Sequence, residues 1–143
     1  MSKINLGRIV VGGLLAGLVM NVVDAVTNGA LLGARWQSEG QALSPTLMAT
    51  PGLETMSMTG WVIVDFLTGI VLVWLYAAIR PRFGPGPRTA LVAAFVIWLA
   101  EHLAYASYAF NGLYSVQVVA ASSAGGLVGV LAGGLAGGWL YRE

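Results

Sequence analysis

Four side chains with acid–base or metal-binding chemistry lie inside long apolar stretches of this 143-residue sequence. Three of them, Asp24, Asp65 and Glu101, belong to the six acidic residues of the chain, and the fourth, His102, is its only histidine. Carboxyl and imidazole groups bind protons, cations or metal ions. No Lys or Arg lies within the same stretches, and an ionised side chain at the centre of a bilayer costs at least about 2.5–3.5 kcal/mol. We therefore expect a bound proton, cation or metal to neutralise these acids.

Further polar residues share helical faces with these four groups. Asn21, Asp24 and Asn28 are spaced at i, i+3 and i+7, and Tyr105 lies one helical turn after Glu101. With a rise of 1.5 Å per residue, the acids, the histidine and a serine pair lie roughly 9–14 Å below the outer ends of their helices. Such faces should point into a bundle, because lipid offers no hydrogen-bond partner. The sequence therefore predicts one ligand- or ion-binding site in the outer half of the membrane, formed by Asp24, Asp65, Glu101, His102, Asn21, Asn28, Tyr105 and Ser122.

The residues leave four interpretations of this site open. The acids are protonated and bond to Asn, Tyr and Ser as packing contacts, or they hold a cation or exchangeable protons on a transport route. A transition metal or haem bound by His102 with acidic partners is the third interpretation. The fourth is enzyme chemistry on a lipid-soluble substrate, with Glu101 or Asp65 as the base. Because the chain has no nucleophile motif, phosphate-binding glycine loop or HExxH helix, no catalytic residue and no particular cofactor is predicted.

The composition identifies the class of protein that must carry this site. The chain is 57% hydrophobic and 9% charged, with a mean hydropathy of +0.79, a net charge of +1 and no cysteine. A soluble domain has about 25% charged residues, so this chain could not cover a water-facing surface. The small net charge gives no basic face for nucleic acid. These values exclude a soluble enzyme, a disordered protein and a nucleic-acid binder, and they predict a one-domain integral membrane protein.

Four apolar stretches predict an all-α bundle of four transmembrane helices, since a span needs about 20 mostly apolar residues. The predicted spans are residues 9–33, 59–79, 89–110 and 116–140, with an outer loop over 34–58 and an inner loop over 80–88. Three prolines and two glycines in the inner loop predict a break in the helix. Six basic residues lie on one side of the spans and only Arg35 lies on the other, which predicts that both termini are cytoplasmic. The six are Lys3, Arg8, Arg80, Arg82, Arg88 and Arg142.

Glycines at helical spacing predict close contacts between the spans. In the fourth span they recur every four residues, at Gly125, Gly129, Gly133 and Gly137, and the first span has a shorter counterpart at Gly13 and Gly17. Helices in a bilayer associate through small residues that let two backbones approach closely. The pattern, a glycine zipper, predicts that the fourth span packs on the first. The alternative is the interface of a homo-oligomer.

Three short motifs carry a resemblance to known proteins. They are WLYAAIRPRFGPGPRT from Trp74 to Thr89, the C-terminal GGWLYRE, and Asn28-Gly29 near the end of the first span. Together they resemble a group of small, functionally uncharacterised four-span bacterial membrane proteins. The resemblance implies a multi-pass protein of the bacterial inner (cytoplasmic) membrane and gives no residue an activity.

The predicted function follows from the site and the class of protein. We expect a non-enzymatic membrane protein that binds a small ligand, a cation or protons in the outer half of the bilayer. The alternatives are an accessory subunit packed in a larger membrane assembly or homo-oligomer, and a haem- or metal-binding protein that uses His102. The expected partners are membrane lipid and other membrane chains, with no nucleic acid.

Overall fold

The structure, a computed structural model, describes residues 4–141. Within that range it is helical with no β-strand, and four stretches are long and apolar enough to cross a membrane. The predicted all-α fold with four helices of spanning length is therefore confirmed. The spanning stretches are Leu6–Leu31, Leu53–Phe83, Pro87–Phe110 and Val116–Leu140. In chain order the elements are α1 (Leu6–Asp24), a π-helical segment (Ala25–Leu31), α2 (Gly33–Leu43), α3 (Pro45–Met48), α4 (Leu53–Phe83), α5 (Pro87–Tyr105), α6 (Ser107–Phe110) and α7 (Val116–Leu140).

The two ends of the bundle are named here after the predicted orientation. The outer end carries α2, α3 and α6, and the inner end carries the turn between α4 and α5. Two of the basic residues that predict this orientation, Lys3 and Arg142, lie outside the described residues, as does the end of the C-terminal motif. The cytoplasmic location of the termini stays a prediction.

The segment predicted as an outer loop, residues 34–58, is largely helical. α2 and α3 occupy most of it, and α4 begins at Leu53, so Asp65 lies roughly 18 Å from the start of its helix instead of the expected 9 Å. Ser44 caps α3 by accepting a hydrogen bond from the backbone N–H of Leu47 (3.4 Å), and Pro45 occupies the first helical position. Hydropathy gave no sign of α2, because that helix is polar and is held by side-chain contacts with the spanning helices.

The inner turn is shorter than the predicted loop over residues 80–88. α4 continues through Pro81, and only residues 84–86 lie outside helices. Pro81 removes one backbone donor close to the helix end, where the loss is tolerated. Gly84 follows the end of α4 and Gly86 precedes the start of α5. Their φ angles of 82° and 132° are outside the helical range and are rarely adopted by residues other than glycine. The hydroxyl of Tyr76 accepts a hydrogen bond from the N–H of Gly86 (3.2 Å) and holds the turn against α4.

The fourth span packs on the first through backbone contacts at glycine. A Cβ atom built on Gly137 would lie 2.7 Å from the carbonyl oxygen of Gly12, and one on Gly133 would lie 2.9 Å from that of Ala16. Any side chain at these positions would separate the helices. In the structure the fourth span thus lies against the first at these glycines. Two more glycines continue the contact toward the outer end, Gly129 beside Val23 and Gly125 beside Thr27.

The two glycines of α1 make a different contact, with α4. A Cβ atom on Gly17 would lie 2.6 Å from the Cα atom of Phe66, and one on Gly13 would lie 2.7 Å from the side chain of Ile70. On the α4 side, Gly69 presses its backbone against the same two glycines. α1 therefore lies between α4 and α7, with a row of small residues toward each.

The apolar core fills the inner part of the bundle. Its members come from α1, the second half of α4, the first half of α5 and the second half of α7 with Tyr141 after it. Thr89 and the hydroxyl groups of Tyr76 and Tyr141 are the polar groups of this inner region, and the acidic side chains of the spans lie nearer the outer end. The core residues are Ile9, Ala16, Met20, Leu72, Val73, Tyr76, Ala77, Ala90, Ala93, Ala94, Val130 and Tyr141.

Candidate functional site

The polar layer lies directly outward of the apolar core. Asp24 is the last residue of α1, Asp65 lies in the first half of α4, and His102 lies near the end of α5. The carboxyl group of Asp65 is close enough to those of Asp24 and Glu101 to interact with them electrostatically, and Asp24 interacts in the same way with His102. The structure thus brings together ionisable groups from three helices, a convergence that depth alone did not establish.

Asp24 is held by a chain of side-chain hydrogen bonds that reaches α2. Asn28 Nδ2 donates to Asp24 Oδ1 (2.7 Å), and Trp36 Nε1 donates to Asn28 Oδ1 (3.0 Å). Asn28 lies in the π-helical segment of seven residues, a conformation that is rare and often found at functional sites. The segment ends with a bond from the N–H of Leu32 to the carbonyl oxygen of Thr27 (2.9 Å). No pattern in the sequence predicts the π-helix.

Asn21 belongs to helix packing, although it shares a helical face with Asp24 and Asn28. Its Nδ2 donates to the carbonyl oxygen of Gly17 (2.9 Å) and to that of Val62 in α4 (3.4 Å). No hydrogen bond joins it to an acid among the described residues. These two bonds tie α1 to α4 beside the layer.

Asp65 has a buried carboxylate oxygen without a partner. No donor among residues 4–141 reaches its Oδ2, although the atom is shielded from solvent. A buried oxygen without a hydrogen bond is costly, and a charged one is much more so. Asp65 is therefore the member of the layer that most requires a proton or another cation.

Glu101 does not point into the bundle, which corrects the expectation for its helical face. It is exposed on the outside of the bundle, where Thr68 Oγ1 of α4 donates to its Oε1 (2.9 Å). The inward face of α5 instead continues from Ala94 through Trp98 to His102, at intervals of one turn. Because Glu101 lies about 100° from His102 around the helix, only one of the two can face inward.

His102 is fixed in orientation by its neighbours. Its Nδ1 lies 2.9 Å from the carbonyl oxygen of Trp98, which only accepts, so Nδ1 carries a hydrogen and Nε2 remains available. The ring stacks on Trp98 (centroids 5.1 Å apart, 26° between planes), and Trp98 Nε1 donates to the carbonyl oxygen of Ser123 (3.0 Å). Gly126 of α7 makes room for the imidazole, since a Cβ atom there would lie 2.8 Å from Nε2.

Tyr105 and Ser122 join α5 to α7 at the layer. Tyr105 Oη donates to Ser122 Oγ (3.2 Å), and Ser122 is buried. Tyr105 also meets the ring of His102 at 5.6 Å and that of Tyr108 at 5.2 Å, both edge to face. Trp36 and Tyr114 extend this aromatic cluster, with ring centroids 4.9 Å apart. The cluster covers the outer side of the layer.

Glu39 fastens α2 over the outer end. Its two carboxylate oxygens accept hydrogen bonds from the backbone N–H and from the hydroxyl of Ser115, both at 2.7 Å. Ser115 is the residue that caps α7, so the carboxylate lies at the positive end of a helix dipole. The bonds from Ser115 hold the pKa of Glu39 below its usual range.

A metal centre finds no ligand set in the described part of the chain. No group of three or more His, Asp or Glu side chains within residues 4–141 is arranged to hold a metal ion. The single imidazole of His102 has one nitrogen committed to Trp98. That hydrogen bond leaves Nε2 available, so it does not by itself count against a metal at His102.

Sequence reasoning missed four residues that shape the layer. They are Thr68, Trp98, Gly126 and Trp36. Signals existed for two of them, because Trp98 lies one turn before His102 and Thr68 lies one turn after Asp65. The contacts of the other two depend on which helices are neighbours, and spacing along one helix carries no such information.

Comparison of the chain with protein-family models, with curated proteins and with solved structures found no match. The resemblance to small four-span bacterial membrane proteins stays a prediction from the motifs quoted above.

Proposed function

We propose that this protein is a non-enzymatic integral membrane protein that binds protons or a small cation at the acidic layer of Asp24, Asp65, Glu101 and His102. The observation that carries the proposal is the buried Oδ2 of Asp65, which has no donor among the described residues. In an apolar membrane interior such an oxygen is stable when it carries a proton or contacts a cation.

The distribution of basic residues supports the proposal. The arginines of the spanning helices, Arg8, Arg80, Arg82 and Arg88, all belong to the inner end, and Arg35 lies in α2. No arginine of the spanning helices lies at the level of the acidic layer. Among the described residues, no arginine therefore supplies a positive charge within the layer.

The surrounding groups supply oxygen ligands and orientation. Asn28 orients the Asp24 carboxyl group, and the hydroxyls of Tyr105 and Ser122 lie on the α7 side of the layer. The Nε2 atom of His102 completes the set of proton acceptors. Carboxylate, hydroxyl and imidazole groups that lie near one another suit the stepwise movement of a proton.

Infrared spectroscopy of the chain in lipid nanodiscs tests the proposal directly. We expect a protonated carboxyl band that disappears on raising the pH, and that Asp65→Asn removes part of this band. Glu54→Gln is the matched control, because Glu54 lies in the first turn of α4, outside the layer. Repeating the titration in sodium chloride and in choline chloride separates protons from sodium, since a sodium site loses its proton at lower pH only in sodium. Superimposable spectra of wild type and Asp65→Asn at every pH would refute the proposal.

The orientation and the membrane belong to the same proposal. Both termini are proposed to be cytoplasmic, in a bacterial inner membrane, so that the layer faces the outer side. The accessory-subunit and homo-oligomer alternatives stay predictions. Because the α7 glycines already contact α1 and α5, a homo-oligomer would have to use another surface.

A further inference from the structure

An apolar groove runs between α4 and α5 on the outside of the bundle. Its volume is about 230 Å³, and most of its lining is aliphatic. Two polar side chains, Thr68 and Glu101, interrupt this lining. The lining residues are Val64, Leu67, Thr68, Val71, Ile97, Ala100 and Glu101.

The groove contains one carboxyl group, that of Glu101. Thr68 donates one hydrogen bond to Oε1 of Glu101, and the Asp65 carboxyl group interacts electrostatically from one turn away on α4. None of the lining residues is basic. Since Glu101 is exposed on a surface that faces lipid, a cation that pairs with it must be soluble in the membrane.

We propose that this groove binds an amphiphile that has a protonated amine head and an apolar chain. The inference rests on the proposed function, because Glu101 belongs to the acidic layer, and it names a substrate class for that layer. The ammonium group donates to Glu101 and to the hydroxyl oxygen of Thr68, which keeps an acceptor lone pair after donating to Glu101. The chain runs from Thr68 and Glu101 toward the inner end, along Val71 and Ile97.

The chemistry of the lining favours this occupant over two others. An inorganic cation such as Ca²⁺ takes six to eight oxygen ligands, whereas the groove offers one carboxylate and one hydroxyl. A neutral acyl chain would fill the aliphatic part but would offer the carboxyl group of Glu101 no hydrogen-bond donor. An alkylammonium ion satisfies both parts of the groove.

Photolabelling in phosphatidylcholine nanodiscs tests the proposal. The probe is dodecylamine with a diazirine at the chain end, and the comparisons are the alcohol and the carboxylic acid with the same chain. We expect the amine to label α4 and α5 residues of the groove at least about tenfold more than the alcohol, because the ion pair forms at low dielectric. Equal labelling by amine and alcohol would overturn the proposal and assign the groove to ordinary lipid chains.

Two variants separate the charge from the shape of the groove. Glu101→Gln should reduce amine labelling to the level of the alcohol, and undiminished labelling would overturn the proposal. Ala100→Phe fills the groove and should remove labelling by all three probes. Ala124→Phe, at an exposed position of α7, is its matched control and should change nothing. If circular dichroism shows that Glu101→Gln does not fold, two comparisons still test the proposal. Amine against alcohol labelling in wild type tests the charge, and Ala100→Phe against Ala124→Phe tests the shape of the groove.

The infrared titration distinguishes a failure of this inference from a failure of the proposed function. A carboxyl band that depends on Asp65, together with equal labelling by amine and alcohol, overturns the inference alone. Charge-dependent labelling at Glu101, together with identical spectra of wild type and Asp65→Asn, refutes the proposed proton or small-cation function and retains the amine site.

Discussion

At the scale of single residues, the neighbours of His102 fix the orientation of its imidazole ring within the layer. The imidazole occupies space that a larger residue at position 126 would need, and its Nδ1 is committed to Trp98. The ring cannot turn away without losing that hydrogen bond and its stacking on Trp98. Gly126 is therefore as much a part of the site as the residues that carry the chemistry.

We expect Gly126→Ala to lower the free energy of unfolding by about 1–3 kcal/mol, because the new methyl group overlaps the imidazole. Denaturation in mixed detergent micelles measures the change. Gly60→Ala is the matched control, since no atom lies within 4 Å of a Cβ at that helical position. There we expect a neutral effect or a gain of up to about 1 kcal/mol from helix propensity. If the loss at position 126 persists in a His102→Ala background, the overlap with His102 is not its cause.

The residue scale also marks where the sequence stops being informative. The apolar flanking residues and the rise per residue predicted how far Asp24, Asp65 and His102 lie from the ends of their helices. Such a prediction needs only one segment of the sequence at a time. The rotation of a helix depends on its neighbours, and Glu101 was therefore expected inside the bundle but lies outside. Asp65 lies about 18 Å from the start of its helix instead of the expected 9 Å, because α4 begins at Leu53.

At the scale of elements, small residues determine which helices touch. The α1–α7 contact brings the backbones of Gly12 and Gly137 together, and Val73 of α4 packs against the same point. The glycine spacing predicted this pairing because only small residues allow it. α2 was not predicted, because its stability depends on Trp36 and Glu39 contacting other elements instead of on an apolar face of its own.

We expect Gly137→Val to destabilise the bundle by about 1–3 kcal/mol or more, since its side chain would meet the Gly12 carbonyl oxygen and Val73. Ala124→Val on the exposed side of α7 is the control and should be near neutral. Denaturation and size-exclusion chromatography are measured together. A change of oligomeric state without loss of stability would contradict the intramolecular contact and favour the homo-oligomer alternative.

The attachment of α2 should depend on pH through Glu39. The pKa of this carboxyl group is lowered by its bonds to Ser115 when α2 is docked. Its stabilising contribution is therefore present above the usual carboxyl pKa and is lost as the pH falls through the lowered value. Hydrogen exchange of residues 33–43, compared between wild type and Glu39→Gln at each pH, measures this. We expect more protection in wild type at neutral pH and equal protection in acid. If the ratio of protection in wild type to protection in Glu39→Gln does not change with pH, Glu39 is not the group that makes the attachment of α2 depend on pH.

At the scale of the whole molecule, the bundle has two unlike ends. Small and aliphatic residues close the inner end, while the outer end holds the acidic layer, the aromatic cluster and α2. Buried side chains such as Leu72, Val73 and Ala93 pack the inner end closely. Access to the layer is therefore expected from the outer side or from the α4–α5 groove, and the inner end is expected to stay closed.

The side from which the layer is reached depends on the orientation of the chain, which the basic residues predict. The chain has no cysteine, so single cysteines can be introduced without a background. We expect Ser38→Cys in α2 to react with a membrane-impermeant maleimide in intact cells, and Pro85→Cys in the inner turn to react only after permeabilisation. Both positions are exposed, so the difference reports orientation and not burial. The opposite pattern would place the acidic layer on the cytoplasmic side, and any ion or amine that binds there would then come from the cell interior.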